Sequence, residues 1–283
     1  MGGASAGGMV TTMSVIHALK GDIKPMRDTE IPHTKTGNIF YDNWVFLDDD
    51  DDSRTFAKLW DTSDLKSGRL TSLLNTSFID NITDRTFEVK GNLADKLKTL
   101  PSYISPDLDV ILSHCLLQGI PLEINFTTPV AEEFGSQEST SHCTFEHFTL
   151  SHYKLNHGVL PDEHKYFMLD PFDEKYREIL KYATKATGAF PIGLQLRKFD
   201  DQHFSDKYIQ SIAERIIFSR FENKTTSQNT QINWENFPST FNLTTVDGGT
   251  VNNEPFGEIL NILKERYEDF NEKTKPLYGL IMV

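Results

Sequence analysis

The sequence predicts an α/β layered domain. Three observations carry that prediction: apolar stripes at helical spacing, short β-rich runs, and the alternation of the two along the chain. Residues 173–183 set Tyr176, Ile179, Leu180 and Ala183 on one helical face. Residues 206–218 do the same with Ile209, Ile212, Ala213 and Ile216, and residues 256–270 align Phe256, Ile259, Leu260, Leu263, Tyr267 and Phe270. An earlier helix is predicted from Met9, Val10, Met13, Ile16 and Leu19, with Gly21 as its stop. Strand-like runs occupy residues 40–47, 241–246 and 277–283. Residues 109–126 read as strand, turn, strand, because Gly119 and Pro121 separate Val110-Ile111-Leu112 from Leu122–Phe126. Residues 131–170, rich in Ser, Thr, His and Glu, read as a polar excursion carrying surface histidines, and residues 222–232 as a polar loop. There is no internal repeat, so one domain is expected across residues 1–283.

Composition removes several classes of function. With 24% charged and 38% hydrophobic residues, the chain is neither a disordered polymer nor a collagen nor a multi-span membrane protein. No stretch reaches the ~18 consecutive apolar residues of a membrane helix. A net charge of −13 argues against sequence-independent nucleic-acid binding, which draws on Lys and Arg. The two cysteines, Cys115 and Cys143, cannot build a disulfide framework or a Cys-rich zinc site. His142, His147, His152 and His157 recur every five residues. That spacing turns a helical side chain by ~140° and flips a strand residue to the other face, so no metal site is expected. The run Asp48–Asp52 lacks the alternating ligands and the Gly of a calcium loop and reads as a solvated acidic loop. No basic segment followed by an apolar run opens the chain, which points to the cytoplasm. The five Asn-x-Ser/Thr sequons are then by-products of composition.

Two motifs carry chemistry. Residues 3–7 spell Gly-x-Ser-x-Gly, the strand-to-helix turn that lifts a nucleophilic Ser clear of the backbone. Gly3, Ala4, Ala6 and Gly7 are small enough for the tight turn, and the helix that follows would aim its free N–H groups at the Ser5 oxygen. Only four residues precede Ser5, too few for a buried strand of ordinary length, and a loose Gly/Ala-rich tail is the competing reading. The second motif is Asp247-Gly248-Gly249-Thr250-Val251-Asn252-Asn253-Glu254-Pro255. A strand ending in Asp before two glycines can present a carboxylate at a sheet edge at low steric cost. Within ~3 Å of a Ser hydroxyl such a carboxylate orients it and accepts its proton, with no His required. A Ser–His–Asp alternative would need Ser5 with His203 and Asp170 or Asp200, since His203 is the last histidine and none follows Asp247.

Gly-x-Ser-x-Gly, the Asp-Gly-Gly-x-x-x-Asn-x-Pro motif and, between them, Ala183-Thr184-Lys185-Ala186-Thr187-Gly188-Ala189-Phe190-Pro191 resemble the patatin-like lipid acyl hydrolases in type and order. The resemblance spans residues 3–255. It implies a three-layer fold with a central, mostly parallel sheet flanked by helices. It also implies a Ser–Asp dyad of Ser5 and Asp247, with Gly3, Ala4, Ala6 and Gly7 forming the elbow and oxyanion side, and Gly248 and Gly249 positioning Asp247. The implied reaction is hydrolysis of phospholipid or acylglycerol esters through an acyl-enzyme, with no metal or organic cofactor, no nucleic acid and a peripheral membrane contact. The family's N-terminal strand and Gly-rich oxyanion loop have no counterpart here. The chain therefore reads as a patatin-like domain without them, either slow in turnover or retained as a lipid- or partner-binding module. Oligomeric state, acyl chain and head group are not legible.

Overall fold

A computed structural model describes residues 1–24, 36–45, 55–65, 70–126, 136–150, 166–199, 206–220, 230–232 and 243–267. In chain order the elements are β1 (Gly2–Gly3), α1 (Ser5–Lys20), a π-helical segment Tyr41–Val45, α2 (Thr55–Lys58), α3 (Ser77–Thr86), α4 (Leu93–Lys98), β2 (Asp109–Phe126) and β3 (Ser136–Thr149). They continue with β4 (Phe167–Met168), α5 (Glu174–Thr187), β5 (Arg197–Lys198), α6 (Asp206–Arg220), β6 (Thr230–Ile232), β7 (Thr244–Asp247), a 3-10 turn Gly248–Thr250 and α7 (Phe256–Tyr267). The architecture is mixed α/β, and the three helices expected from apolar stripes are α5, α6 and α7.

The long strand β2 organises the sheet. One edge pairs with β3 from Asp109↔Thr149 to Asn125↔Ser136. The other edge is taken in succession by β1 at Ile111–Leu112, β7 at His114–Leu116 and β6 at Ile124–Phe126. Beyond these, β4 adds to β3 and β5 to β7. Only β1–β2 and β3–β4 are parallel; the other pairings are antiparallel. The expected mostly parallel sheet is thus corrected. A parallel pair needs a crossover element, and β2 and β3 follow each other with no described helix between them.

Four local expectations also change. Residues 109–126 are one strand rather than two. Gly119, at φ 76°, forms a bulge where the β2–β3 register shifts between Cys115 and Ile120. The polar excursion at 131–170 contains β3, a central strand with Phe145 and Phe148 fully buried, and His147 on it is buried too. Residues 41–45 wind into a helical segment instead of a strand. There the Asn38 Oδ1 accepts from the Phe40 and Tyr41 N–H groups, and the Asp42 carboxylate accepts from the Thr36 and Gly37 N–H groups. Such local side-chain bonds offer the backbone an alternative to a sheet ladder. Residues 230–232, expected in a loop, form β6. The Asp48–Asp52 run, His152, His157, His203 and the expected strand at 277–283 lie outside the described residues.

Helix α1 runs through the middle of the packing. Met9, Met13, Val15, Ile16, Ala18 and Leu19 are buried, and so are Thr11 and Thr12. It packs on β1, β2, α3, α4 and α5. Each large apolar side chain so buried contributes ~1.5–3 kcal/mol, so the N-terminal segment is held by its helix and is not a loose tail. Among the described residues no helix is long and apolar enough to cross a membrane.

Candidate active site

The chain changes from strand to helix within two residues at Ser5. Gly2–Gly3 pair in parallel with Ile111–Leu112, and Ala4 remains extended at φ −121°, ψ 157°. Ser5 then takes φ 55°, in the left-handed region that non-glycine residues rarely enter. Such a conformation costs on the order of 1–3 kcal/mol and persists only where the surroundings impose it. Here they do, since β1 is fixed by β2 and α1 by the core. A strand was expected to be missing before the elbow; it is present as two residues.

The glycines divide differently from the expectation. A Cβ on Gly3 would lie 2.6 Å from the Gly7 carbonyl carbon and the Gly8 nitrogen, so the incoming strand passes against the first turn of α1. A Cβ on Gly8 would lie 2.7 Å from Thr187 at the end of α5. A Cβ on Gly7 would meet nothing. The steric demand expected at Gly7 therefore falls on Gly8, whose neighbour is supplied by tertiary packing. Ala4 is buried and Ala6 is exposed on the first turn. The helical ladder begins with the Gly8 N–H donating to the Ala4 carbonyl at 3.2 Å, and Ala4 has no side chain that could cap the N–H groups before it.

Asp247 closes β7 opposite His114 and is 3% exposed. Its own N–H donates to the Ala189 carbonyl at 3.0 Å. One carboxylate oxygen, Oδ1, accepts from the Gly249 N–H at 2.7 Å. The other, Oδ2, accepts from the Ser5 hydroxyl at 2.6 Å. The second distance falls in the range of charge-assisted O–H···O⁻ bonds. Both oxygens are engaged, so the carboxylate cannot rotate away. Gly248 lies directly on β2: a Cβ there would overlap the Ser113 carbonyl. At Gly249 a Cβ would crowd Asp247 Oδ1 at 3.1 Å. The turn is closed by Asn252, whose N–H donates to the Gly248 carbonyl and whose carbonyl accepts from Ser113 Oγ.

The segment after α5 completes the surroundings. Thr187 Oγ1 donates to the Ser113 carbonyl at 2.9 Å, and Ala189 holds the Asp247 backbone. The chain then projects Phe190, 63% exposed, and Ile192, 75% exposed. Ile192 has φ 69°, a position that strains a β-branched residue. Its carbonyl accepts from the Leu73 N–H, which brings Leu73, 62% exposed, alongside.

Behind Asp247 lies a pair that the sequence did not reveal. His114 and Glu146 are both buried, and His114 Nδ1 meets Glu146 Oε2. His114 Nε2 lies 3.0 Å from the Ala183 carbonyl. Burial pulls the imidazole down to about 3 and pushes the carboxyl well above the usual carboxylate range. Burial thus favours the uncharged form of both groups. In that uncharged form the Glu146 carboxyl donates to His114 Nδ1, and His114 Nε2–H donates to the Ala183 carbonyl. The only sequence signals were a His at the end of an apolar run and a Glu between phenylalanines.

Asp170, the carboxylate of the alternative triad that falls among the described residues, accepts the Phe172 and Asp173 N–H groups at the start of α5. Among the described residues no group of three His, Cys, Asp or Glu side chains is placed to hold a metal ion. Comparison with protein-family models, curated proteins and solved structures finds no match.

Proposed function

We propose that the chain is a serine acyl hydrolase of the patatin-like kind, acting on lipid esters through Ser5 and Asp247. The observation that carries the reading is the 2.6 Å hydrogen bond from Ser5 Oγ to Asp247 Oδ2, made by a Ser at φ 55° on the first turn of a helix. The mostly antiparallel sheet departs from the sheet that the resemblance implies, so the reading rests on the site, where function is properly argued.

In the proposed reaction Ser5 Oγ attacks the ester carbonyl carbon as its proton passes to Asp247 Oδ2. The tetrahedral oxyanion forms at the N-terminus of α1, where the Ala6 N–H and the helix dipole favour negative charge. Collapse expels the alcohol, which takes the proton from Asp247. Water then attacks the acyl-Ser5 carbonyl as Asp247 takes its proton; collapse breaks the C–Oγ bond, releases the acid, and returns the proton from Asp247 to Ser5 Oγ. Gly249 N–H keeps the carboxylate aimed at Ser5 throughout.

The neighbouring surface supports a lipid substrate. Phe190 and Ile192 are exposed on the segment that holds Asp247, with exposed Leu73 bonded alongside. Arg197 and Lys185 are tied to Asp80 at 3.0 and 3.1 Å, and the chain carries a net charge of −13. An apolar, weakly charged rim fits a neutral or zwitterionic lipid surface better than an anionic one.

The test is hydrolysis of a short-chain p-nitrophenyl ester and of phosphatidylcholine by the chain and by its Ser5→Ala variant. Turnover that vanishes in the variant supports the reading. Equal rates in both would refute it and leave the binding-module alternative.

A further inference from the structure

The chain's only two cysteines, Cys115 on β2 and Cys143 on β3, are register partners. Whether facing residues can be bridged depends on which kind of antiparallel pair they form. The ladder settles this by parity. The Leu150 N–H donates to the Leu108 carbonyl, which places 108↔150, one step before Asp109↔Thr149, at a hydrogen-bonding position of the ladder, although the Leu108 N–H turns to the Ser105 carbonyl. Pairs alternate along a ladder. Cys115↔Cys143 lies an odd number of steps from 108↔150 and is therefore a non-hydrogen-bonded pair.

Other bonds agree with that assignment. The Ile111 N–H points away from β3, to the Met1 carbonyl, and the His147 N–H points away from β2, to Tyr208 Oη. The Thr149 carbonyl faces the Leu169 N–H beyond β4. In a non-hydrogen-bonded pair the Cα atoms stand ~4.5 Å apart with their side chains together. That separation lies inside the range that disulfides span, ~4.4–6.8 Å. Both residues are thiols in this structure, 6% and 8% exposed. They adjoin the bulge at 116–119, whose Leu117 and Gln118 are exposed, which gives a small oxidant a route by local opening.

We propose that Cys115 and Cys143 are an oxidation site that closes to a reversible cross-strand disulfide in the presence of a hydroperoxide. One thiolate attacks the peroxide oxygen, the O–O bond breaks, the alcohol or water leaves, and a sulfenic acid remains. The second sulfur then attacks the sulfenic sulfur, the S–S bond forms, the S–O bond breaks and water leaves. Two thiols are oxidised and one peroxide is reduced, and a small thiol reductant reverses the step by exchange. Burial pushes the Cys115 thiol up, so the reaction is slow. The bridge would form beneath the proposed site. Cys115 faces Val246, next to Asp247, and Asn252 Nδ2 lies 3.5 Å from Cys143 Sγ. The inference does not depend on the hydrolase reading.

The test exposes the reduced, folded chain to hydrogen peroxide, then quenches, denatures and counts thiols. Thiols should fall from two to none per chain, the monomer mass should drop by about 2 Da, and a peptide joining residues 115 and 143 should appear that dithiothreitol splits. The oxidised chain should melt about 5 °C higher, because the bridge closes a 28-residue separation. A Cys115→Ala variant should lack both the cross-linked peptide and the melting shift; the wild-type thiol count decides alone if that variant does not fold. Two titratable thiols persisting in the treated, folded wild type, or cross-links found only between chains, would overturn the proposal.

Discussion

Replacing Glu146 with Gln isolates the buried pair behind Asp247. In the folded chain His114 and Glu146 together hold one proton, on the carboxyl. Glu146, raised in the fold, favours folding at low pH and loses that advantage as pH climbs above its ordinary value of 4.5. His114, lowered from 6.5 to about 3, contributes fully above 6.5 and loses its contribution as pH falls toward 3. Between 4.5 and 6.5 the two slopes cancel, because the unfolded chain also holds one proton on the pair, as imidazolium beside carboxylate. Above 6.5 the unfolded pair holds none, and folding loses ~1.4 kcal/mol per pH unit while Glu146 keeps its proton. The amide introduced by Glu146→Gln copies the protonated carboxyl, donating its N–H to His114 Nδ1, and does not titrate in either state. Above pH 5.5 the variant should therefore gain ~1.4 kcal/mol on the wild type for each pH unit over which Glu146 keeps its proton. Tyr208, also buried and interacting with Glu146, has its phenol raised and is uncharged across this window. Urea unfolding followed by far-UV circular dichroism at pH 5.5, 7.0 and 8.0 measures the difference. A charged ion pair would hold the same single proton and give the same trend, but Glu146→Gln would then be destabilising by ~3–5 kcal/mol at pH 5.5. A loss of that size at pH 5.5 would refute the neutral pair.

Further outcomes follow from the same geometry. Gly248→Ala should cost more than ~2 kcal/mol and detach the Asp247 turn, since its Cβ overlaps the Ser113 carbonyl, whereas Gly7→Ala should stay within about 0.5 kcal/mol of the parent; thermal melts of the two separate the cases. Ile192→Gly should raise stability by ~1 kcal/mol by relieving a left-handed β-branched residue, read by urea midpoint at unchanged slope. Ile192→Asp should weaken flotation with phosphatidylcholine vesicles several-fold while leaving hydrolysis of a soluble ester near the parent rate; equal flotation would remove the lipid-docking role of that rim.

The motifs pointed to the juxtaposition of Ser5 and Asp247 because each is local: the turn chemistry is written in the glycines beside the functional residue. The helices α5, α6 and α7 were legible for a similar reason, their buried stripes repeating within a single segment. What escaped depends on partners far away in sequence. β3 looks polar because Glu146 and His147 are satisfied by His114 and Asp109 on another strand. The bulge at Gly119 uses the same residue types as a turn, and only the continuous pairing with β3 tells them apart. Gly8 rather than Gly7 meets a close neighbour because Thr187 of α5 crosses there. The antiparallel sheet order likewise follows from pairings that no single segment announces.

The most direct measurement of the central claim is the rate at which an alkyl fluorophosphonate modifies Ser5 in the wild type and in Asp247→Asn, with the labelled residue located by peptide mass. Labelling is expected at Ser5, slowed by at least ~10² in Asp247→Asn, because the amide keeps the shape of the site but cannot take the hydroxyl proton. Labelling at another serine, or equal rates in the two proteins, would contradict it.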